Sequence, residues 1–339
     1  MHIENGLYPK HHFWGIDHLL SCNGLNCELI RINKQSINPL IEKFFNKLFF
    51  KNNTSFDMEL KIFRAERNFD FIYSVNGPLA FSKFYTRAKV IPWVFRKPSL
   101  NNSPLINSYS TNWLKNYSGI FCLTPNAEEY YSKYSSSKFI PWCVDLELFD
   151  GKPPNTSSVR PFFLATGKTY RDYKTLVDGA KGIDAELRII GPNQQKPNQL
   201  PPNVKWIDTS SDPPDQAIDY PTLREWYAQC IAVCIPLSGD ADDTCGYTNM
   251  LEAMAMRKPI LMTRSGSLHI NPETDGFGIQ IKARDAMGWF HAMNYLISKS
   301  ERSLEMGNRG REIVERDFTI DRFNKDVFEF IKKILINAL

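Results

Sequence analysis

Residues 231–263 constrain this chain more than any other stretch. Ile231-Ala-Val-Cys-Ile-Pro236 is a short, apolar, β-branched run, the pattern of a strand buried on both faces of a parallel sheet. A polar loop from Leu237 to Cys245 separates it from Gly246, after which Met250, Leu251, Met254 and Ala255 recur at helical spacing up to Pro259. Ile260-Leu-Met-Thr263 then repeats the buried-strand pattern. A strand, a glycine turn, a helix and a strand in so short a span commit this region to an α/β fold with a parallel sheet.

The first-turn N–H groups of such a helix lack backbone partners and carry partial positive charge, so an anion can sit there. Gly246 lets it approach the backbone closely, Tyr247 and Thr248 open the helix, and Asp243 and Thr244 belong to the loop in front of it. Phosphate is the expected anion. Glu252 stands about one turn further on, followed by the small Ala253. Two readings of it stay open from the residues alone: a carboxylate that accepts from a ribose diol, or a helix-surface glutamate near a favourable dipole end.

Three more strands precede this unit. Phe162-Phe-Leu-Ala-Thr-Gly167 ends on a glycine and is followed by Lys168, Arg171 and Lys174, then by the helical pattern Leu176, Val177, Ala180. Cations there suit the charge of a departing diphosphate, and equally suit a basic surface turn. Glu186-Leu-Arg-Ile-Ile-Gly-Pro192 ends on Gly191, and Asn203-Val-Lys-Trp-Ile-Asp208 carries Trp206, either a base-stacking ring or core. Tyr220 to Cys230 reads as a helix with Leu223, Trp226 and Tyr227 at helical spacing.

Gly246-Tyr-Thr-Asn-Met-Leu-Glu-Ala-Met-Ala-Met-Arg-Lys-Pro-Ile260 is similar to the donor-binding segment of retaining GT-B glycosyltransferases of family 4, the glycosyl transferases group 1. Members carry two glutamates separated by seven residues; Glu252 matches the second, which binds ribose, and Thr244 stands at the first, which contacts the sugar or the reacting phosphate. Asp242 or Asp243 is the nearest substitute carboxylate. The resemblance also assigns Lys168 and Arg171, with Lys174 in reserve, to the donor diphosphate, and the glycine loops after Gly167 and Gly191 to the sugar nucleotide. Asn271-Pro-Glu-Thr-Asp-Gly-Phe-Gly-Ile-Gln280 resembles the family's Asp-Gly-x-x-Gly turn. These matches run in order through Pro161 to Asp285.

The first half resembles the acceptor-side domain more faintly. Tyr8-Pro-Lys-His-His-Phe-Trp-Gly15 leads into a helix around Ile16 to Ser21 and a strand at Cys27 to Ile32, while the first strand expected at Met1 to Glu4 is short and polar. Phe69 to Val75, Ala88 to Phe95 and Gly119 to Thr124 read as strands, Asn126 to Tyr134 as a helix, and Lys138 to Asp145 closes the half. Cys143-Val-Asp-Leu-Glu-Leu-Phe149 looks like the family's Gly-Val-Asp-x-x-x-Phe ending with cysteine for glycine, and Gly151 to Ser158 has linker composition. The implied architecture is GT-B: an acceptor-side Rossmann-like domain over residues 1–152 and a donor domain over 153–318, facing a cleft. A helix over 319–339 would cross back to the first domain.

The implied activity is transfer of a hexose from a nucleoside-diphosphate sugar to an acceptor hydroxyl with retention of configuration. A UDP sugar is the expected donor, with a GDP sugar as the alternative. Lys168 and Arg171 would neutralise the leaving group without a metal or other cofactor, and His12, beside His11, would face the reacting groups. A sugar, a lipid-linked sugar or a small metabolite would be the acceptor. A noncatalytic nucleotide-sugar-binding subunit is the alternative that Thr244 and Cys143 motivate, and an epimerase of the same shape a third.

The 339 residues suit two ordinary domains. A formal charge of +4 implies no nucleic acid. Apolar Leu40, Ile41, Phe44, Phe45, Leu48, Phe49 and Phe50 beside Lys43, Lys47 and Lys51 form an amphipathic stretch, expected to pack on the first domain, with weak peripheral membrane contact as the alternative. No apolar run approaches the ~18 residues of a span. Met1 to Lys10 is polar and has no secretory leader pattern, which with seven cysteines lacking metal or redox spacing suggests a reducing cytoplasm. His11, His12, His18 and Cys22 match no zinc spacing, and Asp240-Ala-Asp242 is too short a pattern to outweigh the ordered segments.

Overall fold

The computed structural model describes residues 7–22, 24–30, 38, 40–41, 43–44, 55–75, 77–97, 114–154, 160–209, 218–239, 244–263 and 268–336. Two compact units emerge, one of residues 1–13 with 142–323 and one of 14–141 with 324–339.

The smaller unit holds a four-stranded parallel sheet, β1 (Phe71–Ser74), β2 (Lys89–Val94), β3 (Ile120–Cys122) and β4 (Ser137–Phe139), in that order. β2 and β3 are almost wholly buried, as their apolar runs require. Helix Ile16–Ser21 and helix Pro125–Tyr131, capped by the Thr124 hydroxyl on Ala127 N, lie where their patterns put them. Helix Phe56–Ala65 and the 3-10 turn Glu66–Asn68 after it send Glu59 and Glu66 inward to tie the loop between β1 and β2. Glu66 accepts from Thr86 N, Thr86 Oγ1, Arg87 N and Ala88 N. Burial opposes its charge, but those four donors outweigh burial and hold its carboxyl down to about 2.

Two expectations for this half need correction. Residues 27–30 are irregular and not a strand, because the segment has no neighbour to complete a ladder among the described residues. Leu40, Ile41 and Phe44 are 77%, 48% and 60% exposed, so the described part of the amphipathic stretch buries no apolar face. The rest of that stretch and the first strand expected at residues 1–4 fall outside the described residues.

The larger unit holds six parallel strands: β5 (Phe162–Thr166), β6 (Glu186–Gly191), β7 (Val204–Asp208), β8 (Val233–Ile235), β9 (Ile260–Thr263) and β10 (Gly278–Ile281). Their spatial order is β10-β9-β8-β5-β6-β7. The chain builds outward from β5 in one direction and returns to its other edge with β8, which is the doubly wound Rossmann arrangement. β5, β8 and β9 are buried at every position. Helices Tyr173–Gly179 and Ala286–Ser298 share a core with β5 and β6 through Leu176, Val177, Leu187, Ile189, Trp289 and Met293. Helix Ser300–Asp317 packs on helix Tyr247–Ala255, and a Cβ on Gly310 would lie only 3.2 Å from Met254 Cγ. The last helix, Ile320–Ile336, changes unit after Phe323. All seven cysteines are free, and no helix among the described residues is long and apolar enough to cross a membrane.

Candidate donor site

The carboxyl ends of β5 and β8 are adjacent because these two strands pair, Leu164 with Val233 and Ala165 with Cys234. In open α/β sheets this point, where strand order reverses, is where ligands bind. The loops leaving the two strands are laced together: Asp172 N donates to Pro236 O at 2.7 Å, Ser238 N to Tyr170 O at 3.0 Å, and Arg171 forms an isolated bridge with Leu237.

Arg171 lies in the middle of this lacing. Its Nε donates to Thr166 O at 3.3 Å, Nη1 to Thr169 O at 2.8 Å and Nη2 to Asn249 Oδ1 at 3.0 Å. All three acceptors are neutral, and no carboxylate pairs with it among the described residues. Burial pushes the guanidinium pKa down, and its hydrogen bonds to neutral acceptors hold the charge in place. Gly167 makes room for it: φ is +126° there, and a Cβ would stand 2.5 Å from Arg171 Nη2. Gly246 serves the same space from the β8 side. It caps helix Tyr247–Ala255 with φ +84°, and its Cβ would collide with Ile235 Cγ2 at 2.6 Å and lie 3.8 Å from Arg171 Nη2. Asn249, in the first turn of that helix, ties the two loops by donating from Nδ2 to Thr166 Oγ1 at 2.6 Å.

The other expected residues divide. Lys168 is exposed, with no ion pair among the described residues, and its carbonyl accepts from Gln195 Nε2 at 2.5 Å. Lys174, the reserve cation, points along its own helix to Asp178 at 3.1 Å. Thr244 O accepts from Tyr247 N at 3.1 Å, and Thr248 is half-buried in the first helical turn. The Tyr247 ring is 2% exposed and packs edge-on against Phe318 and His269, which leaves only its backbone to a ligand. Gly191 is explained by packing: a Cβ would stand 3.0 Å from the Tyr173 ring and 3.2 Å from that of Trp206. Tyr173 also donates to Gly167 O at 2.7 Å, and Trp206 lines the core. Asp243, with Asp240 and Asp242, lies outside the described residues.

Glu252 sits on the buried side of the same helix, 2% exposed. Its Oε2 accepts from Tyr227 OH at 2.9 Å, and its Oε1 faces His11 Nε2 at 3.5 Å. Burial above all, and then Glu252, raise the Tyr227 pKa well above its ordinary value and keep the phenol a donor. His12 is half-buried next to His11, with Nε2 3.1 Å from Tyr220 OH. Burial first, and the neighbouring His11 second, hold its pKa down to about 3, so it is neutral at pH 7.

His11, His12 and Glu252 bring ligand atoms within 4.8 Å of one another, the spacing of a metal site. The polarity of His11 argues against one. Its Nδ1 accepts from Asp145 N at 3.1 Å, which places the ring proton on Nε2, the nitrogen that faces Glu252. A ligating histidine needs the reverse, with the outer nitrogen donating and the inner one bare.

Asn249, Thr166 and Tyr227 escaped the sequence reading as site residues, and His11 entered it only as the neighbour of His12. Asn249 left a signal, since an amide in the first helical turn behind a glycine is positioned to bind something. His11 left only the His-His pair.

Residues 169–299 match the family model described as "Glycosyl transferases group 1". No curated protein sequence matches the chain. Among solved structures it is similar to sucrose-phosphate synthase from Thermosynechococcus elongatus, with TM-score 0.64 and 17% identity over 83% of this chain and 77% of that one. It is also similar to a glycosyltransferase from Rickettsia africae ESF-5, with TM-score 0.65 and 16% identity over 90% and 84% of the two chains. Anabaena HepE in complex with UDP-glucose aligns with TM-score 0.63 and 14% identity over 81% and 82%. The fold is that of the GT-B glycosyltransferases, and over residues 169–299 the chain is similar to the glycosyl transferases group 1.

Proposed function

We propose that this glycosyltransferase moves a hexose from a UDP sugar to an acceptor hydroxyl with retention of anomeric configuration. The observation that carries the reading is the meeting of Gly167, Arg171, Asn249 and Gly246 where β5 and β8 reverse the strand order. A guanidinium with no carboxylate partner among the described residues, two glycines that clear its surroundings and a helix N-terminus together make a seat for a diphosphate. Arg171 and the exposed Lys168 stabilise the charge that develops on the departing nucleoside diphosphate. The acceptor hydroxyl attacks from the same face and passes its proton to a donor phosphate oxygen, so no pair of catalytic carboxylates is needed. Glu252 Oε1 receives the ribose hydroxyls.

Thr244 at the position of the family's first glutamate leaves the sugar with a neutral contact, which tunes hexose choice more than nucleotide choice. His12, neutral at pH 7, contributes a hydrogen bond and no charge. The smaller unit supplies the acceptor side, with a sugar, a lipid-linked sugar or a small metabolite as acceptor in the cytoplasm. That Anabaena HepE is found with UDP-glucose supports a UDP sugar over a GDP sugar.

Incubation of the protein with UDP-glucose, UDP-N-acetylglucosamine and GDP-mannose, followed by NMR of the released sugar or product, tests this. Release of UDP with an α-configured product is expected. Turnover with inversion, or turnover of the GDP sugar alone, contradicts it.

A further inference from the structure

We propose that His11 is a positioning residue for Glu252, holding the carboxylate for the ribose of the donor; the inference rests on the nucleotide-binding role proposed for Glu252. The two residues are far apart in sequence, yet a short latch brings them together. Lys10–Phe13 forms a single 3-10 turn. Lys10 N donates to Asp145 Oδ2 at 2.9 Å, and Asp145 N donates back to His11 Nδ1 at 3.1 Å. The other oxygen of Asp145 accepts from Glu147 N at 3.1 Å and Leu148 N at 3.2 Å, so the carboxylate is a fixed post.

The His11 ring is held on its faces and edges as well. It lies 4.4 Å from the His12 ring, 6.1 Å from Trp142 and 6.2 Å from Phe149, centroid to centroid. His11 is 1% exposed, Asp145 3% and Glu252 2%. A proton fixed on a buried Nε2 that has no hydrogen-bond partner among the described residues is costly, and native structures seldom leave such a group idle.

Its direction gives the reason. Tyr227 occupies Glu252 Oε2, which leaves Oε1 as the oxygen for a ligand hydroxyl, and His11 Nε2 faces Oε1 at 3.5 Å. A movement of about half an ångström makes that a full hydrogen bond. With that movement Tyr227 and His11 grip the two oxygens from two sides and fix the plane of the carboxylate. Oε1 has a second lone-pair direction left for the ribose.

The test separates the latch from the grip. His11→Asn keeps an acceptor near the Nδ1 position for Asp145 N but has no donor that reaches Glu252. His11→Gln keeps a donor at the reach of Nε2 and gives up the acceptor. Calorimetric affinities are measured for UDP and for 2′,3′-dideoxy-UDP, which lacks the hydroxyls that Glu252 would read. The wild type is expected to favour UDP by tenfold or more. His11→Asn should lose about three- to tenfold of that preference while its affinity for dideoxy-UDP is unchanged, on the scale of one hydrogen bond. His11→Gln should restore most of the preference.

A His11→Asn protein that discriminates as the wild type does overturns the proposal. So does a folded His11→Gln protein that has lost the preference, and this arm decides the matter if His11→Asn does not fold. Glu252→Gln serves as the control for the underlying reading. If Glu252→Gln leaves UDP binding and the preference intact, the ribose role of Glu252 fails and the proposal fails with it. If Glu252→Gln abolishes the preference and His11→Asn does not, only the role of His11 fails.

Discussion

At the residue scale, His12 shows how burial decides what a side chain can do. A histidine at the reacting centre invites the role of a cation or a general base near neutrality. Here desolvation and the His11 ring hold it to about 3, so it enters the folded state uncharged and pairs with Tyr220 OH. The consequence for stability has a definite sign. Between about pH 6.5 and 3 the unfolded chain binds a proton at His12 that the folded chain does not, so stability falls as pH falls through that window and is full above it. His12→Gln should flatten urea-denaturation stability between pH 6.5 and 4, by up to about 1.4 kcal/mol per pH unit at the limit of one proton. An unchanged slope would mean that His12 titrates normally in the folded protein. Arg171 illustrates the opposite case, a charge held by carbonyl and amide acceptors with no carboxylate partner among the described residues.

At the element scale, the junction of β8 with helix Tyr247–Ala255 concentrates the local demands. The polar loop must reverse, the helix must start, and the backbone must stay close to Ile235 and Arg171; only a residue with no Cβ at positive φ meets all three. Gly246→Ala should therefore lower stability by about 1–3 kcal/mol in urea denaturation and weaken UDP binding together. A variant as stable as the wild type would show that the turn is not under this constraint. The same physics explains what could be read from the sequence. β5, β8 and β9 are buried on both faces, so they appear as unbroken apolar runs, and the final helix declares itself by Phe323, Val327, Phe330 and Ile331 at helical spacing. Residues 27–30 carry apolar Leu29 and Ile30 but have no neighbouring strand among the described residues, and pattern alone cannot reveal a missing partner. Gly191 looked like a ligand-loop glycine, yet the close approach of Tyr173 and Trp206 already accounts for it.

At the scale of the whole molecule, long-range pairing is what the sequence concealed. The latch between Lys10, His11 and Asp145 joins residues 134 and 135 positions apart, each bond pairing a backbone N–H with a distant side chain that no local pattern connects. It makes the first described turn part of the larger unit, with residues 142–323. The strands β5 to β9, by contrast, were legible one by one as local runs, while their spatial order was not. The function proposed above requires that the reversal point between β5 and β8 bind a nucleoside diphosphate through Arg171. Calorimetric titration of UDP, GDP, ADP and uridine into the wild type and Arg171→Met, without added metal, tests it most directly. UDP should bind best, and Arg171→Met should weaken UDP at least tenfold while changing uridine binding much less, as loss of a charge-assisted contact to phosphate requires. No binding of any nucleoside diphosphate, or equal losses for UDP and uridine, would contradict the claim.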